Sequence, residues 1–205
     1  MIQQLTRRLS GRPIVKRDGR SIQVRSRKAF GSAGDRTAAA FVARALSVEA
    51  VRFVKVDRQR ATATIGFVDD SVDVDAVLVQ LADALRSVAP LAVDPQLQCC
   101  LEHQRGGDLH VFRYPGAYSS WELTSAGNGT LRLAHAQTAR NRDLSLRMER
   151  LLAHERGVSA VRLIDGESLE VDYTSKRRAT AELISALDPL LDSKRLLQDA
   201  SWDAE

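Results

Sequence analysis

One short frame appears twice. Val48-Glu49-Ala50-Val51-Arg52 and Val158-Ser159-Ala160-Val161-Arg162 both read V-x-A-V-R. Each follows a helical pattern and precedes a hairpin, so the chain repeats one supersecondary unit rather than folding as one irregular domain. In the first copy Ser21–Ser26 alternates as a strand, with Ile22 and Val24 on one face. Asp35 is suited to cap a helix running to about Ser47. A strand over Ala50–Asp57, with Val51, Phe53 and Lys55 alternating against Arg52 and Val54, turns at Arg58-Gln59-Arg60. It returns over Ala61–Val68, with Ala63, Ile65 and Phe67 inward. Asp73 then caps a second helix over Val74–Val88.

The second copy keeps this order. Thr130–His135 reads as a strand and Arg142–Glu155 as a helix, offering Leu144, Leu146, Met148, Leu151 and Leu152 to the core. Gly157 suits its C-terminal stop. Val158–Ile164 and Ser168–Thr174 form a hairpin across Asp165-Gly166, a strong turn signal. Ala179–Leu191 is the second helix. Strand–helix–hairpin–helix with a closing strand predicts an α+β chain of two tandem ferredoxin-like βαββαβ modules, antiparallel sheets with helices on one face. Gln96–Glu102 and Leu109–Tyr114 are the two candidates for the first closing strand. The expected divisions are a basic leader (1–20), a first module (21–114), an aromatic and glycine-rich connection (115–128) and a second module (129–205). Thr124–Gly129 reads as a linker.

The succession Gly129-Thr130-Leu131-Arg132-Leu133, a polar loop, a helix, Gly157-Val158-Ser159-Ala160-Val161-Arg162 and the hairpin to Ser168–Tyr173 resembles the heavy-metal-associated domain. The likeness is to the divergent type at the N-terminal ends of some bacterial metal-transporting P-type ATPases. It covers about 129–191 well and 21–88 more weakly. The standard family carries a C-x-x-C pair in the loop after the opening strand, where two thiolates suit a soft metal, and the divergent type commonly lacks it. Here those loops are 27–34 and 136–141, and neither contains cysteine, histidine or carboxylate. No family ligand carries over, and no cofactor is expected.

Soft ligands cluster elsewhere, at Cys99, Cys100 and His103, with His110 as a further candidate. On a strand the two cysteines would point to opposite faces, which opposes convergence on a metal. No nucleophile elbow, phosphate-binding glycine loop, H-E-x-x-H or dinucleotide fingerprint occurs, so an enzyme is not expected. Asp69-Asp70 reads as capping and turn residues before a helix. Thr62, Thr64, Gly66, Glu170 and Asp172 would face outward on the third strands; small or acidic, they do not suit base stacking or a phosphate backbone.

Charge adds one contrast. Residues 1–34 hold nine lysines and arginines against Asp18 alone, so with a net charge of +4 the remainder carries −4. Arg7, Arg8 and Arg12 could seek an acidic protein or an anionic lipid surface; a solvated terminus is the bland alternative. No apolar run approaches the roughly 20 residues that span a bilayer, and no apolar segment behind Arg7 and Arg8 marks a signal peptide. A cytoplasmic protein, able to lie against the inner face of the membrane, is expected. Phe112, Tyr114 and Trp121 stand out where aromatics make up 5% of residues, and with the leader they are the expected interaction residues. Their competitor role is filling the seam between modules.

The expected function is a non-enzymatic interaction or regulatory module of degenerate repeats. It would contact a protein partner such as a membrane metal-transport ATPase, with no specific nucleic acid. The alternative is a metal-binding accessory protein using Cys99, Cys100 and His103.

Overall fold

A computed structural model describes residues 14–18, 21–31, 35–67, 73–86, 92–104, 106–127, 129–135, 138, 142–155, 157–166 and 168–173. The protein is α+β with antiparallel sheets, and the chain divides into two compact units, Met1–Arg113 and Tyr114–Glu205. Among the described residues no helix is long and apolar enough to cross a membrane.

The first unit opens with a hairpin, β1 (Ile14–Asp18) and β2 (Ser21–Arg25), paired Asp18 to Ser21 across two residues. A single helical turn, α1 (Arg27–Phe30), leads to α2 (Asp35–Leu46). Next come β3 (Val51–Asp57), β4 (Thr62–Phe67), α3 (Val74–Arg86), α4 (Pro95–His103) and β5 (Leu109–Tyr114). Asp73 receives the Asp75 and Ala76 amides at 3.0 and 3.3 Å and so caps α3, as its position before the apolar stripe predicts. The strand order is β1-β2-β4-β3-β5-β6, where β6 (Ala117–Ser119) follows β5 through Pro115-Gly116. The buried face carries Ile22, Val24, Val54, Val56, Ala63, Ile65, Leu109 and Val111.

The second unit repeats the opening. β7 (Glu122–Gly127) and β8 (Thr130–Ala134) form a hairpin across Asn128-Gly129. Then come α5 (Arg142–Ala153), β9 (Val158–Ile164) and β10 (Ser168–Tyr173), in the order β7-β8-β10-β9. Asp165 and Gly166 both sit at positive φ (54° and 73°), which the Asp-Gly pair tolerates. Both units are thus a hairpin followed by a split βαβ: two parallel strands with the last strand between them.

Several expectations change. Leader residues 14–18 are a strand, and so is most of the supposed linker 124–129. Each lies two residues from the next strand, across Gly19-Arg20 and Asn128-Gly129, and so closes at little entropic cost. Of the two closing-strand candidates, Gln96–Glu102 is helical, started by the Asp94 carboxylate, which accepts from the Gln96 and Leu97 amides, and by Pro95 at the first turn. Leu109–Tyr114 is the strand. It pairs antiparallel with β3 rather than with β2, whose other side β1 already holds.

The V-x-A-V-R frame is also offset from the structural repeat. Val51 pairs with Phe67 and Phe53 with Gly66, leaving Arg52 as a bulge. Val158 pairs with Tyr173 and Ala160 with Asp172, leaving Ser159 as the matching bulge. Val51 is therefore equivalent to Val158 and Val54 to Val161, so Val51 and Val161 are not counterparts. Valines at 48, 51 and 54 allow two alignments, and the bulge selects between them. The same bulge turns Phe53 and Lys55 outward and Val54 inward, reversing the simple alternation. In α5, Leu146 is 39% exposed while Ser145, Met148 and Leu152 are buried. The predicted helix 179–191 lies outside the described residues.

Candidate functional site

The loops that follow β2 and β8 are the positions where the resembled family places its metal pair. In the first unit, α1 fills that place. Ser26 Oγ accepts from the Ala29 amide at 3.3 Å and starts the turn. Ala29 and Phe30 are buried, and the Phe30 ring meets Phe41 edge-on at 4.9 Å. Gly31 N donates to Arg27 O at 3.0 Å, and a Cβ at Gly31 would stand 2.5 Å from that carbonyl, so only glycine closes the turn. In the second unit, buried Thr138 donates to His135 O at 2.9 Å and its own carbonyl accepts from Ser145 Oγ at 2.9 Å. Thr138 is thereby tied to α5 through the Ser145 hydroxyl. His135, at its mouth, is buried against Trp121, ring centroids 5.0 Å apart. Strand parity places His135 on the same face as Leu131 and Leu133, a signal that could have marked it as a core residue.

The soft-ligand cluster lies on α4. Helical spacing puts Cys99 and His103 on one face, Sγ to Nδ1 at 3.4 Å, while Cys100 is turned into the core and fully buried. His110 sits on β5, its backbone bridged to the Gln104 amide, which donates to His110 O at 3.0 Å and accepts from His110 N at 2.7 Å. Cys99, Cys100 and His103 therefore do not converge. Among the described residues no three His, Cys, Asp or Glu side chains are grouped to hold a metal.

The expected interaction residues separate into two sets. Arg7, Arg8 and Arg12 lie outside the described residues. Phe112, Tyr114 and Trp121 are buried, not presented as open anchors. Tyr114 Oη donates to Trp121 O and accepts from Leu123 N, both at 2.7 Å. This fixes the chain as it enters β7. Trp121 is fully buried, and its Nε1 has no hydrogen-bond partner among the described residues. Their physical role is packing, because a long apolar ring at a strand entrance gains more from burial than from display.

A cleft of about 470 Å³ in the first unit went unforeseen. Its floor is Ala39, Ala40 and Ala43 of α2 with Leu101 and Leu109; its rim carries Arg36, Arg58, Gln98 and Glu102. Arg58 is pinned: Nε donates to Gly107 O at 2.9 Å, and its backbone amide donates to Asp108 Oδ1 at 2.8 Å. Gln98 donates to Glu102 Oε1 at 2.9 Å, steadying the carboxylate. Small side chains on α2 open the space and α4 walls it. Gln96–Glu102 carries no helical periodicity in sequence, so the cleft is not legible there. Its lining combines apolar side chains with charged and polar ones, the make-up of a small-molecule pocket.

The outward faces of the two sheets differ. In the first, the Phe53 ring covers Gly66, where an added Cβ would meet the ring at 2.1 Å, and Lys55 Nζ stands 5.2 Å from both the Phe53 and Phe112 centroids. In the second, Arg162 reaches Glu170 at 2.9 Å and Asp172 at 2.8 Å, and Arg132 reaches Glu170 at 3.3 Å. Hydrogen bonding from Arg162 is the main cause that holds the Glu170 carboxyl below its ordinary value. Hydrogen bonding from Glu170 chiefly raises the Arg162 guanidinium in return. Compared with known protein families, curated proteins and solved structures, the chain matches none.

Proposed function

We propose that the protein is a non-enzymatic interaction or regulatory module built from two degenerate, ferredoxin-like copies of a heavy-metal-associated domain, working beside a metal-transport system. The observation that carries this reading is what occupies the metal-loop position in each unit. Ala29 and Phe30 pack it in one, and the Thr138–Ser145 hydrogen bond laces it in the other. A site once suited to a mobile, exposed ligand pair has been given over to core packing and backbone closure, while the paired hairpin–helix–hairpin frame is retained. The metal-transport context comes from the resemblance alone, as does a membrane ATPase as partner at the cytoplasmic face.

The second reading, a metal-binding accessory protein, is favoured by one contact, Cys99 Sγ to His103 Nδ1 at 3.4 Å. A thiolate and an imidazole suit monovalent copper. Titration of the apo-protein with zinc and with cuprous ion, followed by elemental analysis, tests both. The expected result is no stoichiometric metal at 27–34 or 136–141. Metal retained there overturns the first reading. Metal retained by the wild type and lost in Cys99→Ser establishes the second.

A further inference from the structure

The cleft between α2 and α4 is walled by parts that are tied together. Gln104, just past α4, donates to Cys100 O at 2.9 Å and to His110 O at 3.0 Å, and accepts from His110 N at 2.7 Å. The wall that carries Gln98, Leu101 and Glu102 is thereby fastened to β5. On the rim, backbone carbonyls hold the Arg58 guanidinium: Nε donates to Gly107 O at 2.9 Å and Nη1 to Gly31 O at 3.4 Å. A space of about 470 Å³ falls in the range of small-molecule pockets. Walls fixed before a ligand arrives lose little further freedom when it binds.

The polar groups of the cleft are of both signs. Arg36 and Arg58 bring guanidiniums, and Glu102 brings a carboxylate steadied by Gln98. Neither Arg36 nor Glu102 forms an ion pair with the other or with any other described residue. Opposite charges that line one cleft without neutralising each other suit a ligand that carries both. The floor of Ala39, Ala43, Leu101 and Leu109 is apolar and suits a hydrocarbon body. We infer that the cleft binds a small zwitterion with an apolar body. Its carboxylate meets Arg36 and Arg58, its ammonium meets Glu102, and its hydrocarbon part lies on the floor. An apolar amino acid and a short apolar peptide share this chemistry. A plain carboxylate would leave Glu102 without a cation, and a plain amine would leave the two guanidiniums without an anion. This inference goes beyond the proposed function and rests on the cleft alone, so the outcome of a metal titration does not touch it.

Isothermal titration calorimetry of the full chain tests it. The probes are leucine, leucyl-leucine, isocaproate, which is leucine without its ammonium, and isoamylamine, which is leucine without its carboxylate. Saturable binding of leucine, leucyl-leucine or both is expected, and the tighter of the two tells a free amino acid from a peptide. Isocaproate and isoamylamine should each bind roughly fivefold to tenfold more weakly than the zwitterion, the scale of one partly exposed, charge-assisted hydrogen bond. Arg36→Gln and Glu102→Gln should weaken the zwitterion by a similar factor, and Glu102→Gln should leave isocaproate unweakened. Ala40→Leu fills the cleft from an exposed helical position and should abolish binding with far-ultraviolet circular dichroism unchanged. No saturable binding of either zwitterion overturns the inference. Isocaproate or isoamylamine binding as tightly as the zwitterion overturns it too, and so does indifference to both charge substitutions.

Discussion

The two units share a hairpin and a split βαβ, down to a bulge at the same place, yet they spend their sheets differently. The first seals the outer edge of β3 with β5 and lays a phenylalanine over a glycine on its outward face. The second leaves β9 at the sheet edge and covers its outward face with a four-residue charge lattice, Arg132, Glu170, Arg162 and Asp172. The equivalences are residue by residue: Lys55 with Arg162, Thr64 with Glu170, Gly66 with Asp172. One backbone frame therefore supports an aromatic solution and an ionic one. The frame depends on strand pairing and the inward apolar face, and the outward face is free to diverge.

The sharpest break in this comparison would come from Trp121, at the entrance to the second hairpin. Trp121→Ala should cost about 3–5 kcal/mol in urea unfolding, as for other fully buried tryptophans. A change within about 0.5 kcal/mol would restore it as a surface anchor. Next, Val54→Ala and Val161→Ala occupy equivalent positions, the first on a strand covered by β5 and the second on a strand with no neighbour on its outer side among the described residues. The first should cost about 2 kcal/mol and the second about half that, because less area leaves water at an edge. Equal losses would mean that β9 is as covered as β3.

Gly66→Ala tests the outward face of the first unit. The new methyl collides with the Phe53 ring, so stability should fall by about 1 kcal/mol despite the ordinary gain from replacing glycine in a strand. Phe53→Ala should abolish that loss in a double-mutant cycle. The smallest effect is expected at the charge lattice. Glu170 has a lowered folded-state pKa, so its contribution is present above the unfolded carboxylate value and is lost as pH falls through the folded one. Wild type should therefore lose more stability than Glu170→Gln on acidification through this range, by a margin reduced by solvent screening. Identical acid profiles would show that the lattice is decorative.

How much was legible follows from where the signals were local. The helices at 35–46, 74–86 and 142–153 stood in the spacing of their apolar residues and in caps such as Asp73. The Asp165-Gly166 hairpin stood in two residues. The strand 122–127 was signalled locally too, by Asn128-Gly129, but small polar residues masked its alternation, as basic charge did in 14–18. The cysteines show the opposite case. Whether Cys99 and Cys100 share a face depends on helix or strand, and Gln96–Glu102 carries no periodicity that separates them.

By itself the sequence determined that the chain is α+β, that it repeats a unit, and that the loops after β2 and β8 lack soft ligands, because each is a matter of residue type and short-range period. Only the tertiary structure decided which valines correspond, which strand completes the first sheet, and that Phe112, Tyr114 and Trp121 are buried. Those outcomes depend on a single inserted residue in β3 and on competition between β1 and β5 for the two edges of one sheet. Bulges and edge occupancy are set by pairing between distant segments, so no local pattern of apolar residues records them.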